Sequence, residues 1–85
     1  MRAWGVRRKA SGDLASLPAG STAAILAIET TEAVRRQLLS LGVLEGVRVR
    51  VVRRAPLGGA ILVAVGSSEY ALGHEVASRI RVAPG

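Results

Sequence analysis

Residues 34–59, VRRQLLSLGVLEGVRVRVVRRAPLGG, read as three pieces in order: an amphipathic helix that stops at a glycine, a tight turn closed by a second glycine, and a strand alternating valine with arginine that runs into a proline- and glycine-rich loop. The helix follows from spacing. Val34, Leu38 and Leu41 fall at i, i+4 and i+7, one stripe of a 3.6-residue repeat. Leu39 widens the stripe, and Arg35, Arg36 and Gln37 occupy the other side. Thr30 or Thr31 caps the start, and Glu32 places a negative charge in the first turn, where the helix dipole favours it. Gly42 lies just past the stripe, where a left-handed C-cap belongs. Together these predict a helix over about residues 31–41. In the strand the period changes to two: Val47, Val49 and Val51 point one way, Arg48 and Arg50 the other. Gly46 closes the turn between Leu44 and Val47, because a positive φ is cheap only for glycine.

Working outward, residues 1–13, MRAWGVRRKASGD, carry four basic residues, two glycines and a serine, and read as a flexible basic N-terminal arm with Trp4 as its one anchoring residue. The folding unit is expected over 14–83. Pro18 biases Leu17 toward an extended shape, and Gly20 ends a turn. Ser21 to Glu29 then reads as a strand with Ala23, Ile25 and Ala27 alternating against Ala24, Leu26 and Ile28. Both faces are apolar, which predicts a central strand covered on both sides.

Beyond the valine–arginine strand, Ala55 to Gly59 makes a reversal and Ala60 to Val65 a third strand, paired with the second as an antiparallel hairpin. Gly66-Ser67-Ser68 turns into a fourth strand, Glu69 to Leu72. A short helical turn is expected over about 74–79, and a closing strand from Ile80 to Val82. Five to six short strands with one inserted helix predict a mainly β chain folded as a small barrel.

Composition bounds the chemistry. The chain has 85 residues, enough for one domain, and no cysteine, which removes disulfides and thiolate metal sites. With no phenylalanine, one tryptophan and one tyrosine, the core must be aliphatic. The longest fully apolar run, Ala23 to Ile28, is far short of the ~20 residues of a membrane helix, so a soluble, intracellular protein is expected. Net charge is +6, from twelve basic residues against six acids, which suits an anionic partner. Eleven of the twelve are arginine; base composition alone is able to produce such a bias, so it is not read as arginine-specific recognition.

The order of these pieces resembles a known family. Leu17-Pro18-Ala19-Gly20, then Leu38-Leu39-x-Leu41-Gly42-Val43-x-x-Gly46, then Val49-x-Val51-Val52-Arg53-Arg54-Ala55-Pro56-Leu57-Gly58, followed by Tyr70-Ala71-Leu72 and Ala77-x-x-Ile80-x-Val82, resembles the FeoA family, ferrous iron transport protein A. The resemblance spans about Leu14 to Val82. It implies an SH3-like β-barrel with a helical insert and a small cytoplasmic protein that assists or regulates a membrane ferrous-iron transporter carrying a GTP-binding domain. The same domain ends certain metal-dependent transcriptional repressors. This chain departs from the family pattern at Gly66-Ser67-Ser68, where an Arg-Gly-aromatic turn is usual, and at Gly73 and His74, where a basic residue often follows the Ala-Leu pair. Partner contacts that rest on those basic side chains therefore do not carry over.

Catalysis is not expected. The lone His74 has Glu75 beside it, but neighbours on a helix do not face each other, and the six acids show no catalytic spacing. No metal ligand set is written in the sequence either. His74, Glu75 and Glu69 are the residues available for a weak divalent ion such as iron or zinc, and a closed site would need two copies meeting in a dimer.

Protein binding is the leading expectation. Arg53, Arg54, Pro56, Leu57 and Gly58 would form the contact, with Leu57 at the loop tip beside a basic rim. Two alternatives stand beside it. One is a nucleic-acid-binding barrel using Arg48, Arg50, Arg53 and Arg54, against which the domain offers only Tyr70 for stacking, so nucleic acid is not the expected partner. The other is the metal-sensing role of the repressor domains.

Overall fold

The alternating valines and arginines form a strand, as their period requires. A computed structural model describes residues 12–84, and in it the elements run β1 (Gly12–Asp13), β2 (Thr22–Ile28), α1 (Glu32–Ser40), β3 (Arg48–Arg54), β4 (Ile61–Val65), β5 (Ser68–Leu72), α2 (His74–Ala77) and β6 (Ile80–Pro84). Single 3-10 turns at Leu14–Ser16 and Pro56–Gly58 interrupt the loops. The expected arm lies outside the described residues except for Gly12 and Asp13, which pair with Val82 and Arg81 as a short edge strand.

The six strands make one antiparallel sheet in the order β1-β6-β2-β3-β4-β5. Its inner face wraps a single aliphatic cluster in which Leu14, Ile25, Val49, Val51, Ile61, Val63, Ile80 and Val82 are all essentially inaccessible. Full burial of each Ile, Leu or Val side chain favours folding by about 1.5–3 kcal/mol, which is how an aliphatic core serves without phenylalanine. Mainly β, with a small number of short helical elements, is the architecture the strand pattern predicted.

Helix α1 begins and ends as its residues dictate. The Thr31 hydroxyl accepts the Val34 N–H at 3.2 Å, satisfying one of the orphan donors of the first turn. At the other end Gly42 takes φ +87°. Its N–H reaches the Leu39 carbonyl at 3.0 Å while the Val43 N–H reaches Leu38 at 2.9 Å, so two free carbonyls are met and the buried Leu38 and Val43 come together. Gly46, at φ +89°, then turns the chain into β3, and its N–H bonds the Ile25 carbonyl at 2.8 Å. The helix–turn–strand unit is thereby stitched to β2.

Two sheet irregularities depart from strict alternation. Register shifts at Leu26, in β2 against β6, and at Val52, in β3 against β4. A bulge inserts one residue and exchanges the faces of all that follow. In β2 this lets Ile25 and Ile28 both reach the core although they are three residues apart.

Two expectations about coverage need correction. β2 is central, between β6 and β3, but it is not covered on both sides: Leu26 is 51% exposed on the outer face, opposite to that of the buried Ile25 before it. Leu39 does not widen the core stripe of α1. It is 56% exposed, whereas Leu38 is 3% exposed, because Val34, Leu38 and Leu41 are the apolar residues of this stretch that face β5 and α2, with Gln37 beside them.

Candidate partner-docking site

The loop joining β3 to β4 is fixed by its own backbone. The Ala55 N–H donates to Ala60 at 2.9 Å, and the Gly59 N–H to Pro56 at 3.2 Å. Pro56 presets the first turn position. At Gly59 an added Cβ would stand 3.0 Å from the Ala55 Cβ, a tight contact that glycine avoids where the loop's two arms approach.

Between them Leu57 adopts φ +61°, ψ +35°, the single non-glycine residue with positive φ among those described, and its side chain is fully exposed. The left-handed conformation costs an L-residue about 1–2 kcal/mol. Exposure leaves its apolar surface in water. Folding thus supplies no reason for a leucine here, and strain of this kind gathers at ligand contacts.

The bulge at Val52 decides what the neighbouring arginines do. Arg53 stands opposite Leu62 on the outer face, and Arg54 stands opposite Ile61, a core residue. Arg54 is accordingly half-buried and donates from Nη1 to the Leu17 carbonyl at 2.7 Å. Of the five residues expected at the contact, Arg53, Pro56, Leu57 and Gly58 are exposed at this end of the hairpin, and Arg54 turns inward.

Sequence reasoning did not find a second surface feature, an open groove of about 220 Å³ between α1 and the 44–47 turn. Ile28, Leu39, Val43 and Leu44 supply its apolar wall. Arg35 crosses one side, donating to the Ile28 carbonyl at 2.9 Å and to Glu45 Oε2 at 3.0 Å. The Glu45 carboxyl is held below its ordinary range, first by its own backbone N–H and then by the Arg35 guanidinium. The exposure of Leu39, which the helical stripe misassigned, is the signal that marks this groove.

His74 opens α2 and is exposed, and Glu75 sits 3.8 Å from Arg79. No three His, Asp or Glu side chains gather into a metal-binding group among the described residues, so the residues present in one chain do not fit a metal ion. No polar or charged side chain is buried among them either. No helix among the described residues is long and apolar enough to cross a membrane.

Comparison with known proteins adds the context. The model of the FeoA domain matches residues 13–84. A crystal structure of the iron uptake regulatory protein FeoA superposes with a TM-score of 0.80 at 25% identity, covering 91% of this chain and 100% of that one. FeoA from Stenotrophomonas maltophilia, solved in complex with zinc and described as a prokaryotic SH3 domain protein, is 32% identical, with a TM-score of 0.69 over 84% of this chain and 88% of that one. A manganese-dependent transcriptional repressor in complex with manganese is 26% identical, with a TM-score of 0.82, covering 88% of this chain and 37% of the repressor. No curated protein sequence matches the chain.

Proposed function

The chain belongs to the FeoA domain family, and from that membership we propose that it is a non-enzymatic accessory protein of ferrous iron uptake, acting in the cytoplasm by docking on the cytoplasmic part of a membrane iron transporter that carries a GTP-binding domain. The observation that carries the docking site is Leu57, fully exposed and held in a left-handed conformation at the tip of the 55–59 loop. A rigid apolar prong beside the exposed Arg53 suits a pocket with an acidic rim, because a preset loop loses little entropy on binding. The names of the related proteins, an iron uptake regulatory protein among them, support the link to iron.

Binding of the full chain to the purified cytoplasmic domain of such a transporter tests the reading. Leu57→Ser is expected to weaken binding at least about tenfold, the scale of one buried anchor. Equal affinity for the variant and the parent chain would remove the loop as the contact.

A metal-sensing role is the second reading, favoured by the likeness to the manganese-dependent repressor. The scattered carboxylates and lone histidine weigh against a site within one chain, which leaves a site shared between two copies. Equilibrium dialysis with Fe²⁺ or Zn²⁺ alongside sedimentation tests it: metal bound in step with dimer formation favours sensing, and neither effect would dismiss it.

A further inference from the structure

Among the described residues, the exposed arginines without an ion-pair partner gather on one face. All six acids lie within residues 12–84. Four of them pair with arginines: Glu45 with Arg35, Glu32 with Arg36, Glu75 with Arg79 and Glu29 with Arg81. Arg48, Arg50 and Arg53 are exposed and take part in no ion pair among the described residues.

Strict alternation would not have put them together. It would set Arg48, Arg50 and Arg54 on one side of β3 and Arg53 on the other. The bulge at Val52 reverses the last two, so Arg53 joins Arg48 and Arg50 on the outer face and Arg54 is drawn in to Leu17. Arg48 and Arg50, two residues apart, are separated by about 7 Å along the strand. Glu69 is the one acid on the same face of the neighbouring strands, opposite Ala64 and two strands from Arg50, roughly 10 Å away at ordinary strand spacing.

The face around the row suits an extended anionic surface better than a discrete ligand. Thr22 and Ala24 flank it on β2, and Leu62 and Ala64 on β4. These small or half-buried side chains leave only a shallow depression beside Arg53. A nucleic-acid strand would want aromatic platforms. Tyr70, however, stands opposite the buried Val63 and packs against the core. Residues 1–11 add Arg2, Arg7, Arg8 and Lys9 with no acid, and Trp4, a side chain at home at a membrane–water interface. Leu57 offers an exposed aliphatic side chain in the loop that follows the row, which phosphates of a nucleic acid would leave in water and a lipid interface would take up.

We propose that the outer face of β3, through Arg48, Arg50 and Arg53, holds this protein against an anionic phospholipid surface. A bilayer presents mobile phosphates in a plane and needs no matching pocket, and each arginine near it adds about fivefold to partitioning. The inference does not depend on the transporter reading.

Cosedimentation of the full chain with vesicles tests it, using phosphatidylcholine alone and phosphatidylcholine mixed with phosphatidylglycerol. Binding is expected only with phosphatidylglycerol, weakening steeply with salt. Arg48→Ala with Arg50→Ala should reduce it roughly twenty-five-fold, two steps of fivefold. Arg36→Ala with Arg79→Ala, which removes the same formal charge from ion-paired positions, should have a clearly smaller effect. All four side chains are exposed, and circular dichroism of each variant is the check that the fold is kept. Equal losses in the two double variants would overturn the proposal in favour of net charge alone, and absence of binding at low salt would end it. A labelled single-stranded oligonucleotide that binds more tightly than the vesicles, and is weakened by the Arg48/Arg50 change, would reassign the face to nucleic acid. No transporter is present in these measurements, so their failure leaves the docking reading intact, and failure of Leu57→Ser to weaken docking leaves this one intact.

Discussion

The Arg54 guanidinium donates a 2.7 Å hydrogen bond to the carbonyl oxygen of Leu17, a residue 37 positions earlier in the chain. The contact exists because the Val52 bulge turns Arg54 toward the side on which its partner Ile61 is buried. The same stretch is held by the Gly20 N–H on the Val51 carbonyl at 2.7 Å and the Val51 N–H on Ser21 at 2.8 Å. Arg54 therefore belongs to the scaffold that carries the loop. Replacing it with alanine should cost about 1–3 kcal/mol, since a half-buried carbonyl loses a charged donor. Arg53→Ala, on the outer face, should stay within about 0.5 kcal/mol of the parent. Urea denaturation of the two variants compares them directly; equal midpoints would mean that the Leu17 bond contributes nothing.

Leu57 sets stability against docking. Leu57→Gly removes a left-handed strain of about 1–2 kcal/mol and adds unfolded-chain entropy worth about 0.4–1 kcal/mol. The denaturation midpoint should hold or rise, while affinity for the transporter domain falls. A fall in stability would reveal that the leucine packs against its own chain.

Adjacent leucines on α1 should differ sharply. Leu38→Ala opens a cavity in the core and is expected to cost about 2–5 kcal/mol. Leu39→Ala, on the groove wall, should change stability by less than about 0.5 kcal/mol. Similar losses at both positions would place the helix stripe elsewhere than where it is seen.

Acid should loosen the join between α1 and the 44–47 turn. The Glu45 carboxyl titrates lower in the folded protein than in the unfolded chain, so the unfolded chain binds the proton first. Its contribution is complete above the ordinary carboxylate range and is lost as pH falls through the lowered folded value. Glu45→Gln should flatten that part of the stability profile, with little change in its shape at neutral pH. An identical acid limb in Glu45→Gln and the parent chain would show that the Arg35 contact carries no linkage.

Much of the fold was legible where a residue competes only with its near neighbours. The 3.6-residue spacing of Val34, Leu38 and Leu41, a threonine cap at Thr30 or Thr31 and the positive φ of Gly42 and Gly46 all follow from local geometry, and each is found in place, the cap at Thr31. The exposed tip at Leu57 was also legible, because Pro56 and Gly58 punctuate it on either side. The 3-10 turn at Leu14–Ser16 was not, since three residues give no period to read, although Leu14 proves fully buried.

Residue order by itself determined which segments are helix and which are strand, the sites of reversal and an aliphatic core, because propensity, period and glycine chirality act within a few residues. Tertiary structure alone decided phase. At Leu26 and Val52 the extra residue is selected by hydrogen bonding to the adjacent strand, and nothing in VRVRVVRR marks which valine will be passed over. That choice turned Arg54 inward, aligned Arg53 with Arg48 and Arg50, and brought Ile28 into the core, so the charge pattern of the surface was settled between strands and not along them.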